Sequence, residues 1–173
     1  MPVEFQPRLA RTRDNVEFTI RAIRAEDFAL EDEFIRSLSE ESRYFRLMHA
    51  LKEPQAEFVE RMVNIDGDDT MALVGVTESA ARQQFIAVVR YARNPDGHSA
   101  EFAVAVNDAW QRRGVASQLM QPLADYAKRH GIERFEGEVL VTNERMLDLC
   151  RWLKFDLRRS PDGGHVMIAT RKL

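Results

Sequence analysis

The stretch from Ala100 to Val106 reads Ala-Glu-Phe-Ala-Val-Ala-Val and is apolar on both alternating faces except at Glu101. A run of that kind predicts a strand covered on both sides. After the short connection Asn107 to Trp110, a helical pattern runs from Gln111 to His130, with Val115, Leu119, Leu123 and Tyr126 at spacings of four and three. His130-Gly131 supplies its stop. A buried strand that feeds directly into a long helix commits the chain to an α/β layer arrangement, with the helix start lying beyond the end of a central strand. The first turn of a helix has unpaired N–H groups and about half a positive charge, so it attracts phosphate. Arg112 and Arg113 add donors there, and Gly114 lets a ligand approach where a Cβ would obstruct it.

The rest of the chain reads as elements around that unit. Residues 1–16 show no sustained apolar period and contain two prolines, which predicts a tail or a late-packing lid over residues 1–17 and a single domain over 18–173. Phe18, Ile20, Ala22 and Ile23 give a strand, and the apolar residues Phe28, Leu30, Phe34, Ile35 and Leu38 recur at helical intervals. Pro54 separates two further helical candidates, Arg43 to Leu51 and Ala56 to Ile65. Met71 to Val76 and Phe85 to Tyr91 read as adjacent strands, and Asn94-Pro95-Asp96-Gly97 as a turn. Ile132 to Val141 reads as a strand and Asn143 to Leu153 as a helix, with a closing hairpin from Phe155 to Leu157 and His165 to Thr170. The expected fold is one α/β domain with a mixed, twisted sheet.

Composition narrows the function classes. With 28 acidic against 25 basic side chains the net charge is −3, which gives no bias toward nucleic acid, and 45% hydrophobic residues are enough for a packed core. The longest uncharged apolar run, Met71 to Val76, is far below the roughly 18 residues that span a bilayer. The start carries no apolar region of the kind that directs secretion. Cys150 is the single cysteine, and His49, His98, His130 and His165 lie too far apart for zinc-ligand spacing. The expectation is a cytoplasmic, reducing location with no metal, no membrane and no nucleic-acid partner.

The segment Gln111-Arg112-Arg113-Gly114-Val115-Ala116 resembles the pyrophosphate-binding motif of the GNAT superfamily of N-acetyltransferases, Gln/Arg-x-x-Gly-x-Gly/Ala, and matches all three defined positions. The order of elements from about residue 18 to 171 is similar to that superfamily as well. The resemblance implies a three-layer fold with a mostly antiparallel sheet flanked by helices, and acetyl-CoA as the cofactor. It also implies that coenzyme A lies between strands that part near Val104 and Val106, with its pyrophosphate on Gln111, Arg112, Arg113, Gly114, Val115 and Ala116. A narrower resemblance, in Gly137-Glu138-Val139-Leu140, Asn143, Met146-Leu147 and Ser42-Arg43-Tyr44-Phe45-Arg46, is to the acetyltransferase domains of bacterial protein-lysine acetyltransferases. There the residue corresponding to Asn143 helps to hold the pantetheine arm.

Two positions depart from the superfamily pattern. Many members place a tyrosine seven residues after that asparagine as general acid for the leaving thiolate, and here Cys150 stands there. The glycine of the usual Gly-Phe pair is Lys154. Thiolate protonation is then left to water or to another group.

A lysine amine, with an ordinary pKa near 10.4, needs a carboxylate to take its proton before it can attack a thioester. Glu101 is the candidate, because it is the one ionisable side chain in an apolar strand and the resemblance puts the general base at this position; the alternative is a solvated carboxylate at a strand end. Glu136 and Glu138 on the next strand are runners-up. Arg112 and Arg113 are either ligand contacts or surface charge. Cys150 reads as a small buried residue rather than a nucleophile. Trp110 either covers the ligand or anchors the loop. His165 either faces the acceptor or is polar surface, and Tyr44, Phe45 and Arg46 either line the acceptor groove or pack in the core.

These readings imply an acetyl-CoA-dependent N-acetyltransferase acting on a primary amine, either a protein lysine or a small amine. The rival is a non-catalytic acyl-CoA-sensing module, and a phosphate binder without acyl chemistry ranks below both because neither glycine-rich nucleotide loop is present. The acceptor and the oligomeric state, a homodimer included, stay open.

Overall fold

A computed structural model describes residues 4–39, 41–42 and 55–173. The first strands are β1 (Arg8–Arg11) and β2 (Glu17–Ala22), followed by a 3-10 turn and helices α1 (Phe28–Ser37) and α2 (Ala56–Val63). Three long strands come next, β3 (Thr70–Ser79), β4 (Arg82–Arg93) and β5 (Ser99–Val106). Then come helix α3 (Val115–Arg129), strand β6 (Arg134–Leu140), helix α4 (Glu144–Trp152) and the hairpin β7 (Asp156–Arg159) and β8 (Val166–Lys172). One eight-stranded sheet has the order β1-β2-β3-β4-β5-β6-β8-β7. All neighbours are antiparallel except β5 and β6.

Both sheet faces are covered, which explains the unbroken apolar runs. In β3, Met71 and Leu73 pack with Val115, Leu119 and Leu123 of α3, whereas Ala72 and Val74 pack with Phe34, Ile35, Val59 and Val63 of α1 and α2. Alternate residues of a strand point to opposite faces, so a central strand between two helical layers must be apolar throughout. The pairing of β3 with β4 runs well past the apolar runs to Ser79 and Arg82, where Ala80 and Ala81 turn at φ 51° and 62°. Asparagine and glycine ordinarily mark such a left-handed pair, so the polar ends of both strands carry no sequence signal.

The expected tail is part of the sheet. Arg8–Arg11 pairs antiparallel with β2, and Phe5 is buried in the core cluster. An edge strand held by backbone bonds, with its side chains mostly in solvent, shows no apolar period to read. The long helix begins at Val115 rather than Gln111, because Arg112 and Gly114 both sit in the left-handed region, at φ 62° and 81°. The helical candidate Arg43 to Leu51, with Tyr44, Phe45 and Arg46, lies outside the described residues. No helix among the described residues is long and apolar enough to cross a membrane.

Candidate functional site

The parallel pair β5 and β6 is in register only from Ser99 opposite Arg134 to Glu101 opposite Glu136, and the strands then part. Downstream, β5 stays paired with β4 as far as Val106, and β6 with β8 as far as Leu140. Each strand therefore keeps an unpaired edge facing the gap, with backbone N–H and C=O groups at alternate residues. The half-buried Val104 and Val106 lie in this parted section and pack toward the α3 and α4 layer. Ala105 packs toward the α1 and α2 layer, and Glu101 shares its face by alternation.

Glu101 thus stands at the vertex of the gap, in the last paired position. Its side chain is exposed and makes no ion pair or hydrogen bond among the described residues. The desolvation expected from its apolar neighbours along the strand is not supplied by the fold, because those neighbours point to the other face or are small alanines. Glu136 is engaged: it accepts from Asn94 Nδ2 at 2.8 Å and from Arg134 at 3.5 Å. Glu138, two residues on and on the same face, is exposed.

At the far end of β5 the chain is pinned before it enters α3. Asn107 N–H donates to Ile86 at 2.8 Å, its side-chain amide donates to Ser37 Oγ at 2.9 Å, and its oxygen accepts from Ala109 N–H at 3.0 Å. Gln111 closes the loop back on the strand, donating to the Val106 carbonyl at 3.2 Å and to Ser42 Oγ at 3.3 Å while accepting from Arg145. Its amide is a tie between the end of β5 and the start of α4. Trp110 packs partly buried against the core and carries the Arg113 guanidinium 4.2 Å over its ring, so it anchors the loop.

Arg113 also donates to both oxygens of Asp14, at 2.9 and 2.8 Å, and these bonds hold the Asp14 carboxyl down at about 2. Arg112 is exposed. The glycine at 114 answers to backbone geometry: it caps α3 in the left-handed region, and the space a Cβ would face is lined by the Arg13 stem at 3.4 Å. The start of α3, through Val115 and Ala116, has no side-chain cap and no acidic residue in its first turn.

Across the gap, Asn143 caps α4, its side-chain oxygen accepting from Met146 N–H at 3.2 Å. Cys150 is 1% exposed, and burial pushes its thiol up to about 12, so it is a core residue with no thiolate chemistry. Lys154 takes φ 65° just beyond α4, where it donates to the Arg151 carbonyl at 3.1 Å and Phe155 donates to the Cys150 carbonyl at 2.8 Å. The position keeps the left-handed cap that a glycine serves best. The exposed His165 side chain lies at the far hairpin. Arg145, Arg13 and Asp14 were not among the sequence candidates, since nothing in a charged tail or an exposed helix turn marks them.

Comparison with known proteins finds relatives over most of the chain. Residues 29–155 match the model of the acetyltransferase (GNAT) family. The chain is 32% identical over 155 residues to acetyltransferase PA5475 of Pseudomonas aeruginosa, covering 90% of this chain and 83% of that protein. It is 32% identical over 121 residues to acetyltransferase Pat of Mycolicibacterium smegmatis, covering 65% of this chain and 35% of that protein. Among solved structures it superposes on the GNAT domain of S. lividans PAT with a TM-score of 0.88 at 30% identity, covering 98% of this chain and all of that one.

Proposed function

The chain belongs to the GNAT acetyltransferase family, and from that premise we propose that it moves an acetyl group directly from acetyl-CoA to a primary amine, with Glu101 as general base. The observation that carries this reading is the parting of β5 and β6 immediately after Glu101, with the uncapped start of α3 at the other end of the same strand. A thioester on an extended, amide-bearing arm fits between the two unpaired strand edges, and its phosphates fit the free N–H groups and cations around Gly114.

Each residue then has a task. The helix start and Arg112 bind phosphate, while Gln111 fixes the loop against Val106. Val104 and Val106 offer the strand edge to the pantetheine arm, and a free N–H of that edge polarises the thioester carbonyl as negative charge develops on its oxygen. The exposed Glu101 carboxylate accepts the ammonium proton of the acceptor, directly or through a water, and the freed amine attacks the carbonyl carbon. The C–S bond breaks as the C–N bond forms, and the second proton shed by the now cationic nitrogen passes through water to the leaving thiolate, which departs as the thiol. Holding both reactants at one vertex supplies the proximity the step needs. A cationic amine is favoured by the exposed carboxylates of Glu101 and Glu138 on that face; a protein lysine and a small amine both meet this description.

Thiol release from acetyl-CoA across a panel of amines tests the reading, with Glu101→Gln as the control. Turnover should fall by about 10²-fold or more in the variant, while calorimetric affinity for acetyl-CoA stays at the wild-type value. Wild-type-like turnover would remove Glu101 from the mechanism. A wild-type chain that does not bind acetyl-CoA would remove the transferase reading itself.

A further inference from the structure

The end of α1 is joined to the far end of β5 by three polar ties, taken in the same order along both segments. Ser37 Oγ, which donates to the Phe34 carbonyl at 2.7 Å, accepts from the buried Asn107 carboxamide at 2.9 Å. Ser39 N–H donates to the Asp108 carboxylate at 3.2 Å, and Ser42 Oγ accepts from the Gln111 carboxamide at 3.3 Å. Ser39 Oγ also accepts from Ser42 N–H at 3.1 Å, the bond of a helix N-cap, so the second and third ties act together. Partial desolvation of Asp108 works against its ionised form, and the bonds from Ser39 and Ser42 outweigh it, holding the carboxyl below its usual range.

The reading that asks nothing of the reaction treats these bonds as fold stabilisation. Yet α1 is already anchored by Phe34, Ile35 and Leu38 in the core, and bonds to the exposed Ser37 and Ser39 add little beside that packing. Apolar packing is non-directional: it presses a helix onto a sheet without fixing its position along a strand. Directional bonds supply that position, and these join residues 69 or 70 places apart in the chain. They do so where β5 has β4 on one side and, beyond Glu101, no β6 on the other, so they steady the wall that has lost a neighbour. The face is that of Glu101: Ala105 packs in the same layer as Phe34 and Ile35, and an amine that reaches Glu101 comes in beside the end of α1.

We propose that Asn107 and Asp108 are positioning residues for the acceptor. Acting through Ser37 and Ser39, they lock the end of α1 to the β5 edge, so that the surface the amine meets and the edge that holds the thioester form one unit. The inference rests on the acetyl-transfer reading above and gives a task to two residues that precede the pyrophosphate motif.

Thiol release with Nα-acetyl-lysine amide, cadaverine and n-butylamine, beside calorimetry with acetyl-CoA, tests it on the full chain. Ser37 is substituted in place of Asn107, whose side chain also closes its own turn on Ala109. The variants are Ser37→Ala, Ser37→Thr, Asp108→Ala and the double variant carrying both alanines. In the double variant kcat/KM for the fastest amine should fall about tenfold, the cost of a modest misplacement of the reactants, while acetyl-CoA affinity and melting temperature stay at the wild-type values. Ser37→Thr keeps the hydroxyl and should keep wild-type kinetics. Wild-type kinetics in the double variant overturn the proposal, as does a lower melting temperature with unaltered kcat/KM, which marks a role in folding alone. An equal loss of acetyl-CoA affinity overturns it too, because the ties would then serve the coenzyme loop. A wild type that releases no thiol with any of the three amines would remove the transferase reading and this inference with it, an outcome distinct from an active wild type that the double variant matches.

Discussion

Helices α3 and α4 flank the same gap and pack on the same face of the sheet, yet their ends are made in opposite ways. The start of α3 has Gly114 as N-cap, no side-chain acceptor and no acid in its first turn. The start of α4 has Asn143 as N-cap, whose side chain bonds Met146 N–H, with Glu144 in the first turn. One terminus is satisfied by its own side chain, and the other has none to cap it. At their C-termini the order reverses. Gly131 ends α3 at φ 82°, with its N–H bonded to Lys128 and that of Ile132 to Ala127. Lys154 ends α4 with the same pair of bonds in the same left-handed conformation, at the expense of a crowded Cβ. The two helices thus differ at both ends: α4 is capped at its start and strained at its end, while α3 is relaxed at its end and uncapped at its start.

The contrast can be broken most sharply at residue 114. Gly114→Asp would give α3 its own anion, and aspartate tolerates the left-handed region better than most residues. Acetyl-CoA affinity should fall by about 2 kcal/mol, roughly thirtyfold, with the fold retained by circular dichroism. Unchanged affinity would mean that the terminus is not the phosphate site. A middle-sized effect is expected at Asn143, where Asn143→Ala removes the cap and should lower stability by about 1 kcal/mol in urea titration. A loss of acetyl-CoA affinity in Asn143→Ala exceeding that of Gly114→Asp would shift its main role from capping α4 to holding the ligand. The smallest change is a gain: Lys154→Gly relieves the strained cap but loosens the unfolded chain, leaving about 0.5 kcal/mol of added stability. A destabilised variant would show that the lysine side chain contributes more than its backbone costs.

What could be read in the sequence follows from what local pattern encodes. The central strands were recognisable because both helical layers demand apolar residues at every position from Met71 to Val76, and the phase of Leu119 and Leu123 identifies the buried side of α3. The loop before α3 stood out through its match to a family motif that includes Gly114, and the backbone there takes the left-handed region. Neither signal reaches across the chain. The contact between Asp14 and Arg113 spans 99 positions and that between Asn94 and Glu136 spans 42, so the first site residue went unread and the second engaged a candidate base. The exposure of Glu101 was hidden for the same reason: the sequence shows its neighbours along the strand, while solvent access depends on what stands above the face it points to. Strand β1, mostly in solvent and four residues long, had no period to offer.

The three-residue seam between β5 and β6 also changes what kind of surface the sheet presents. An ordinary open sheet ends twice; this one ends at β1 and β7 and again, internally, at the two parted strands. Outer edges are exposed to any passing chain, and proteins commonly blunt them with charge, as Arg8 and Arg11 do on β1 and Arg158 and Arg159 on β7. The inner edges face each other across a wedge that narrows to a point, which turns an open hydrogen-bonding rim into a socket with a fixed depth. Depth is therefore set by pairing register rather than by any side chain, and a slip of one residue between Glu101 and Glu136 would move the point where the wedge closes.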